Sequence, residues 1–351
     1  MHDATPVVDV HGHLVPDAAF AHAPEGLTVI RRDPGDAALV VDGVRGRFAP
    51  QGLREVEVRQ RAQAARGVDL SIVGPWIDLV KAAQTVPVQV AWCGALTDAL
   101  QQVSRGRTDL RFLAALPDLD GGAAAEELER AVALGAVGGL LASNPQVGGL
   151  DAAHYTPLWS AAERLQVPII LHPGYFQPPG HMRDHFLANS VGNPFETTLA
   201  IGRLIAVDVP GRFPGLRLVL THAGGFFPYQ YGRMEAAFLR WPGNQGVARR
   251  LPSDLLRWFW YDTVLFTEAP TRYLLDLVGD DRVLAGTDCP FAMADYRPFE
   301  APEGLGLDPA GTSRVLGGNA LACFPCARLP LPQPSAAAGP PAPPAGADGG
   351  S

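Results

Sequence analysis

Five side chains capable of metal or acid–base chemistry recur in this 351-residue sequence at equivalent places, each closing a short apolar run. His11 and His13 lie in Asp9-Val10-His11-Gly12-His13. On an extended chain, residues two apart point to the same side, so both imidazoles can face one centre. Gly12 lets the backbone turn there without a side chain in the way. His172 ends IILHPG, His222 follows LVLT before Ala-Gly-Gly, and Asp288 sits in VLAGTDCPF. Any one of these alone reads as a polar strand cap. Five of them at four run ends, in order, read as a metal site. Three histidines and a carboxylate suit Zn2+, or another divalent ion such as Mn2+. A remaining position would take a water, whose pKa a zinc ion lowers to about 7. The fourth histidine is then a candidate acid/base beside that water.

These residues need a scaffold that brings distant strand ends together. VVDV, LSIVGPW, RFLAALP, GGLLAS, VPIILHPG, LRLVLTHAGG and DRVLAGTDCP are nearly continuous apolar runs ending in polar residues or glycine. Helix-like stretches separate them, among them 53–66, 123–134 and 158–165. Such strands, buried on both faces, imply a parallel sheet. A doubly wound sheet remains open. A (β/α)8 TIM-like barrel is favoured because barrel enzymes build their sites at the C-terminal strand ends. Residues 27–48 break the rhythm: Asp33-Pro34-Gly35-Asp36 separates two β-prone runs and Asp42-Gly43 offers a second turn. This reads as a small β-hairpin insertion, about 20–50, leaving the first strand and lying over the active-site face. Residues 1–329 make one barrel domain. Residues 330–351 are Pro, Ala, Gly and Ser with almost no large apolar residue, and read as a disordered tail.

Composition excludes several classes. The formal net charge of -8 and the lack of a basic cluster argue against a nucleic-acid partner. No apolar run approaches the ~20 residues that span a bilayer, so no membrane role is expected. The N-terminus shows no basic region followed by an apolar stretch, which makes the cytoplasm the default expectation. Cys93, Cys289, Cys323 and Cys326 are too few for a disulfide framework, and the lone Cys323/Cys326 pair lacks the second pair of a zinc knuckle. Trp76, Tyr175, Phe176 and Phe291 follow strand ends and are candidate pocket walls, with substrate in contact. His181 and His185, four apart, read as lid or surface positions. His2, His22 and His154 have no supporting context.

The order HxH, LHPG, THAGG, GTDCPF resembles the amidohydrolase superfamily. More narrowly it is similar to the branch of 2-amino-3-carboxymuconate-6-semialdehyde decarboxylase (ACMSD) and decarboxylases of hydroxyaromatic acids, over about residues 7–325. The resemblance implies His11, His13, His172 and Asp288 as ligands of one divalent ion and His222 as the general acid/base, with Asp288 also catalytic. It implies Arg47 (or Arg45, since the local register is open) and Arg233 as arginines for a substrate carboxylate, a task their fork geometry suits. Two departures stand out. Lys81, the sequence's only lysine, lies in a helix-like stretch rather than at a strand end, which favours one metal over two. Cys289 replaces the family's usual tyrosine beside the aspartate.

The activity these residues imply is a metal-dependent decarboxylase releasing CO2 from a small unsaturated or hydroxyaromatic carboxylic acid. The alternative is a hydrolase of a lactone, ester or amide working through the same metal-activated water. A non-catalytic barrel is a third class, disfavoured by the complete ligand set. Arg233 begins the helical GRMEAAFLRW, which leaves the barrel mouth. A homodimer is therefore expected, in which Arg233 reaches the partner's site.

Overall fold

The computed structural model describes residues 5–25, 27, 29–31, 38–41, 44–48, 51–174, 182, 184–241 and 249–328. The 330–351 tail lies outside them. The strands are β1 (Val8–His13), β2 (Val29–Arg31), β3 (Ala38–Val41), β4 (Val44–Phe48), β5 (Leu70–Gly74), β6 (Leu110–Phe112), β7 (Ala114–Ala115), β8 (Gly139–Ala142), β9 (Ile169–His172), β10 (Leu218–Leu220), β11 (Trp260–Asp262) and β12 (Val283–Leu284).

Two parallel sheets carry the fold, in the orders β1-β5-β6 and β12-β11-β10-β9-β8-β7. They meet at Leu113, which separates β6 from β7: Leu113 N–H donates to Val73 O (2.9 Å), and Ala114 N–H to Gly138 O (2.9 Å). At the other ends, Val10 N–H donates to Ala285 O (3.0 Å) and His13 N–H to Cys289 O (2.7 Å), beside a parallel bridge between Gly12 and Cys289.

Parallel pairing follows from the crossovers, because a helix must carry the chain back to the starting edge. The helix Gly121–Ala133 starts where the Asp120 side chain accepts from Ala123 N–H, and it buries Ala124, Leu128 and Ala131. The helix Thr156–Leu165 stops at Gln166, which takes a left-handed conformation at φ 55°. The stretch 53–66, expected as one helix, is two: Gln51–Arg54 and Val56–Ala64, parted where Glu55 is extended.

Strand alternation feeds two apolar clusters. Leu218 and Leu220 pack under the helices with Tyr261 and Val283, whereas Val219 packs on the opposite face with Ile72, Leu113, Leu140, Ile170 and Leu284. Both faces are therefore buried, which is why these strands read as unbroken apolar runs.

Residues expected to form a hairpin after β1 pair as three antiparallel strands in the order β2-β3-β4, with Val29 opposite Val41 and Val41 opposite Val44. The side chains of these strands, Arg45 and Arg47 included, lie outside the described residues. Among the described residues no helix is long and apolar enough to cross a membrane.

Candidate metal centre

His11 and His13 come from β1, His172 ends β9, His222 follows β10 by one residue and Asp288 follows β12. A bulge in β1 aims the first pair. Asp9 lies opposite Ser71 but Gly12 opposite Val73, so β1 uses an extra residue between them. Asp9 and Gly12 consequently both face the helix Val56–Ala64, and His11 and His13 face the other way. A Cβ on Gly12 would fall 2.0 Å from Arg59 Nη2. Arg59 is itself fully buried and lies 3.6 Å from Asp9. Glycine is needed there for close approach and not for the expected turn, since Gly12 lies within β1 and is not left-handed.

The four imidazoles and the carboxylate form one cluster. Ring centroids of His172 stand 5.0 Å from His11, 4.9 Å from His13 and 5.0 Å from His222. His11, His172, His222 and Asp288 each offer a ligand atom within 4.8 Å of the others. His13 lies outside that foursome and joins through its Nε2, 3.0 Å from Asp288 Oδ1.

Outer hydrogen bonds divide the histidines three against one. His11 Nδ1 stands 2.6 Å from Asp262 Oδ2, His13 Nδ1 2.9 Å from Pro75 O and His172 Nδ1 2.8 Å from Pro173 O. Carbonyls and an ionised carboxylate only accept, so each Nδ1 carries the proton and each Nε2 a lone pair. Those three Nε2 atoms lie 3.4, 3.0 and 3.9 Å from the same oxygen, Asp288 Oδ1. All four atoms are buried, and none has a hydrogen-bond partner among the described residues. Lone pairs converging on a carboxylate oxygen repel unless a cation lies among them, so the donor set fits a divalent ion. His222 differs. Its Nδ1 is buried with no partner among the described residues, and its Nε2 lies 3.6 Å from the other oxygen, Asp288 Oδ2.

Burial pushes His172 down to about 3, with His13, His11 and His222 adding to the effect. A neutral imidazole at pH 7 is the form that ligates. Burial works to raise Asp288, but the surrounding histidines, His11 first, overcome it and hold the carboxyl well below its usual range. Burial likewise opposes charge on His11, yet Asp288 and Asp262 outweigh it and raise the imidazole. A proton therefore competes with an ion for that ring.

Sequence reasoning missed Asp262, a fully buried carboxylate at the end of β11. Besides His11, it accepts from the backbone N–H groups of His222 (3.0 Å), Ala223 (2.7 Å) and Val264 (3.1 Å). His222 and Ala223 are both left-handed, at φ 52° and 54°, a conformation that costs a non-glycine residue free energy. Asp262 holds that strained turn. Asp288 is also left-handed, at φ 61°, and its N–H donates to His11 O (2.7 Å). Asp9 completes the support by accepting from the Thr287 hydroxyl (2.7 Å) and N–H (3.1 Å), tying β1 to the Asp288 loop.

Among the expected pocket walls, Phe291 lies 5.1 Å from the His13 ring and 5.6 Å from Trp76. Tyr175 and Phe176 lie outside the described residues, as does His181. Arg233 is exposed on the helix Phe227–Arg240, which begins five residues before the expected start at Gly232, so the arginine lies within the helix rather than at its start. His185 is also exposed, and His154 accepts the Gly121 N–H (3.1 Å), away from the cluster. Cys289 is buried against Tyr296, and burial raises its thiol, so it is an inert packing group. Cys323 and Cys326 are free thiols.

Comparison with known proteins places this geometry. The family described as "Amidohydrolase" matches residues 8–326. The 2-amino-3-carboxymuconate-6-semialdehyde decarboxylase of Dictyostelium discoideum is 28% identical over 299 residues, covering 81% of this chain and 80% of that protein. The gamma-resorcylate decarboxylase of a Rhizobium species is 30% identical over 260 residues, covering 68% and 78%. A crystal structure of dihydroxybenzoic acid decarboxylase from a Polaromonas species, with bound manganese and the inhibitor 2-nitroresorcinol, superposes with a TM-score of 0.72. It is 22% identical and covers 93% of this chain and 98% of that one, which establishes a shared fold.

Proposed function

This chain belongs to the amidohydrolase family, and from that membership we propose that it is a metal-dependent decarboxylase of a small hydroxyaromatic carboxylic acid. The observation that carries the reading is the division of the histidines. Three with their Nδ1 protons tied to acceptors converge on Asp288 Oδ1, and a fourth, held differently, faces Asp288 Oδ2. His11, His13, His172 and Asp288 would hold one divalent ion, Zn2+ by the nitrogen-rich donor set or Mn2+ as in the Polaromonas enzyme. A closed (β/α)8 barrel would bring them together. The backbone bonds from β1 to the segment beyond β12, and across Leu113, support closure.

The reaction replaces a ring carbon's bond to CO2 with a bond to hydrogen. A divalent ion in this site would act as a Lewis acid toward substrate oxygens and so orient the acid for protonation at its ring carbon. The chain must supply the proton. His222 Nε2 would hold it, and the Asp288 carboxylate, whose Oδ2 lies 3.6 Å away, would take it up only in passing it to the ring carbon. Protonation of the ring carbon leaves the C–C electron pair to restore the aromatic ring as CO2 departs. Trp76 and Phe291, with ring centroids 5.6 Å apart, offer apolar faces against which a ring can pack. Arg47 and Arg233 are proposed to pair with substrate carboxylate, Arg233 from a second subunit.

A homodimer is part of this reading. Its support is a set of exposed apolar side chains: Phe226 and Tyr229 at the start of the helix that carries Arg233, Phe195 and Leu199 four residues apart on the helix Asn193–Ala206, and Val191 in the turn before it. Exposed apolar side chains, where they join into one patch, mark interaction sites.

The test is product analysis. Purified protein loaded with Zn2+ or Mn2+ is incubated with 2,6-dihydroxybenzoate, other hydroxybenzoates, carboxymuconates, lactones and aryl esters. CO2 release that needs the metal and His222 is expected. Acid release from lactones or esters, with no CO2 from any acid, would overturn the proposal in favour of a hydrolase.

A further inference from the structure

His172 differs from the other ligand candidates in what holds its ring. His11 is held by an aspartate and His13 by the carbonyl of Pro75, but His172 Nδ1 donates to the carbonyl of the very next residue, Pro173. A next-residue carbonyl orients a ring only if the peptide bearing it is itself fixed. The Pro173–Gly174 peptide is fixed by Asn144. Its side-chain oxygen accepts the Gly174 N–H (2.9 Å), and its side-chain NH2 donates to Gly174 O (3.2 Å). The β8–β9 ladder ends just before: Ala142 lies opposite His172, and Ser143 N–H donates to His172 O (2.9 Å). Asn144 therefore continues the pairing with its side chain where the backbone ladder stops.

Asn144 is secured in turn. Lys81 Nζ donates to the Asn144 carbonyl, and the lysine stem lies so close over Gly174 that a Cβ there would meet Lys81 Cδ at 2.3 Å. Lys81 closes the segment that begins at Pro75, the acceptor for His13. One short segment, 75–81, thus supports two imidazoles: His13 directly, and His172 through Asn144 and Gly174.

We propose that Asn144, backed by Lys81, is a positioning residue for the metal ligand His172, acting by holding the Pro173–Gly174 peptide. This rests on the reading of His172 as a ligand, and the experiment separates the two. The measurement is the rate at which a chelator strips metal from loaded protein, with the melting temperature of the metal-free protein recorded in parallel. Asn144→Ala should speed metal loss by about 10- to 100-fold, the usual scale for groups that orient a ligand. The metal-free melting temperature should stay near that of wild type. The visible spectrum of the Co2+-loaded variant should shift, since it reports ligand geometry. Asn144→Asp keeps the acceptor for Gly174 N–H but loses the donor, and should fall between. Lys81→Met touches only the backing and should act in the same direction, more weakly, which keeps the test alive if Asn144→Ala does not fold. His172→Ala must lose metal for the underlying reading to hold. If it does, and Asn144→Ala and Lys81→Met release metal at the wild-type rate, the positioning role is wrong. A faster release matched by a proportionate fall in metal-free melting temperature would also overturn it, as general destabilisation.

Discussion

The carboxylate oxygen Oδ2 of Asp262 stands 2.6 Å from His11 Nδ1 and also accepts the His222 N–H at 3.0 Å, so one atom orients a ligand candidate and the acid/base candidate together. Asn in place of Asp keeps the shape but has one acceptor oxygen. Its NH2 would face backbone donors at Ala223 and Val264, or else the His11 proton. Asp262→Asn should lower metal affinity by about 10- to 100-fold, the scale expected of a group behind a ligand. Turnover should fall further than metal loss explains, because the His222 turn loosens as well. Metal titration and saturating-metal turnover check the two parts separately. A variant that binds metal and turns over as wild type would remove Asp262 from the site's support.

Asp262 also shows where the sequence stopped being readable. The strand-end pattern identified HxH, HPG, THAGG and TDCP because each closes a recognisable apolar run. β11 is only Trp260–Asp262, three residues without the aliphatic Val, Ile or Leu run that marked the other strands. The one strand not picked out from sequence therefore held the one carboxylate missed. The bulge in β1 was equally hidden. Period-two alternation would put Asp9 beside His11 and His13, whereas the extra residue sends Asp9 to Arg59 and Thr287. Tertiary contacts, not local pattern, decide that facing. Asn144 carried no signal either, since its role depends on two segments meeting. The outer bonds that single out His222 are likewise invisible from sequence.

His222→Ala should keep the metal. None of the outer bonds that orient the other three rings involves its side chain. Turnover should drop by at least ~100-fold, the lower scale for losing a general acid/base. Elemental analysis together with saturating-substrate kinetics decides the matter. Loss of the metal would make His222 a ligand, in line with its place within 4.8 Å of His11, His172 and Asp288.

The metal-free protein should be acid-sensitive through His172. Its imidazole falls from an ordinary 6.5 to about 3 on folding, because burial disfavours the charged form. The unfolded chain therefore binds the proton first. The stabilising contribution is complete above pH 6.5 and is lost progressively as pH falls toward about 3. His11 works the other way: its raised imidazole stabilises at acid pH and stops doing so as pH rises through its folded value. Comparison with His172→Asn isolates the first effect. Metal-free wild type should lose more melting temperature between pH 6.5 and pH 4 than the variant does. Equal losses would mean that His172 is not buried in neutral form.

The subunit-sharing prediction turns on Arg233. Its side chain is exposed and forms no ion pair with any described residue, although the same helix starts only three residues past the His222 turn. An exposed arginine on the helix that follows the His222 turn could serve a neighbour docked over the exposed apolar side chains Phe195, Leu199, Phe226 and Tyr229, as proposed above. An exposed intrachain ion pair would be worth little, so the competing account makes Arg233→Ala nearly silent. Mixing separates them. Arg233→Ala and His13→Ala, each inactive alone, are combined under conditions that exchange subunits. In a shared-site dimer, one site of the mixed species has both its metal ligands and the partner's arginine intact. Up to about half of the sites' turnover should return in that species, since one of its two sites is whole. Light scattering must show a dimer for the result to count in favour. A fully active monomer, or no recovery after exchange is verified by mass-tagged subunits, rejects the shared site and returns Arg233 to the solvent.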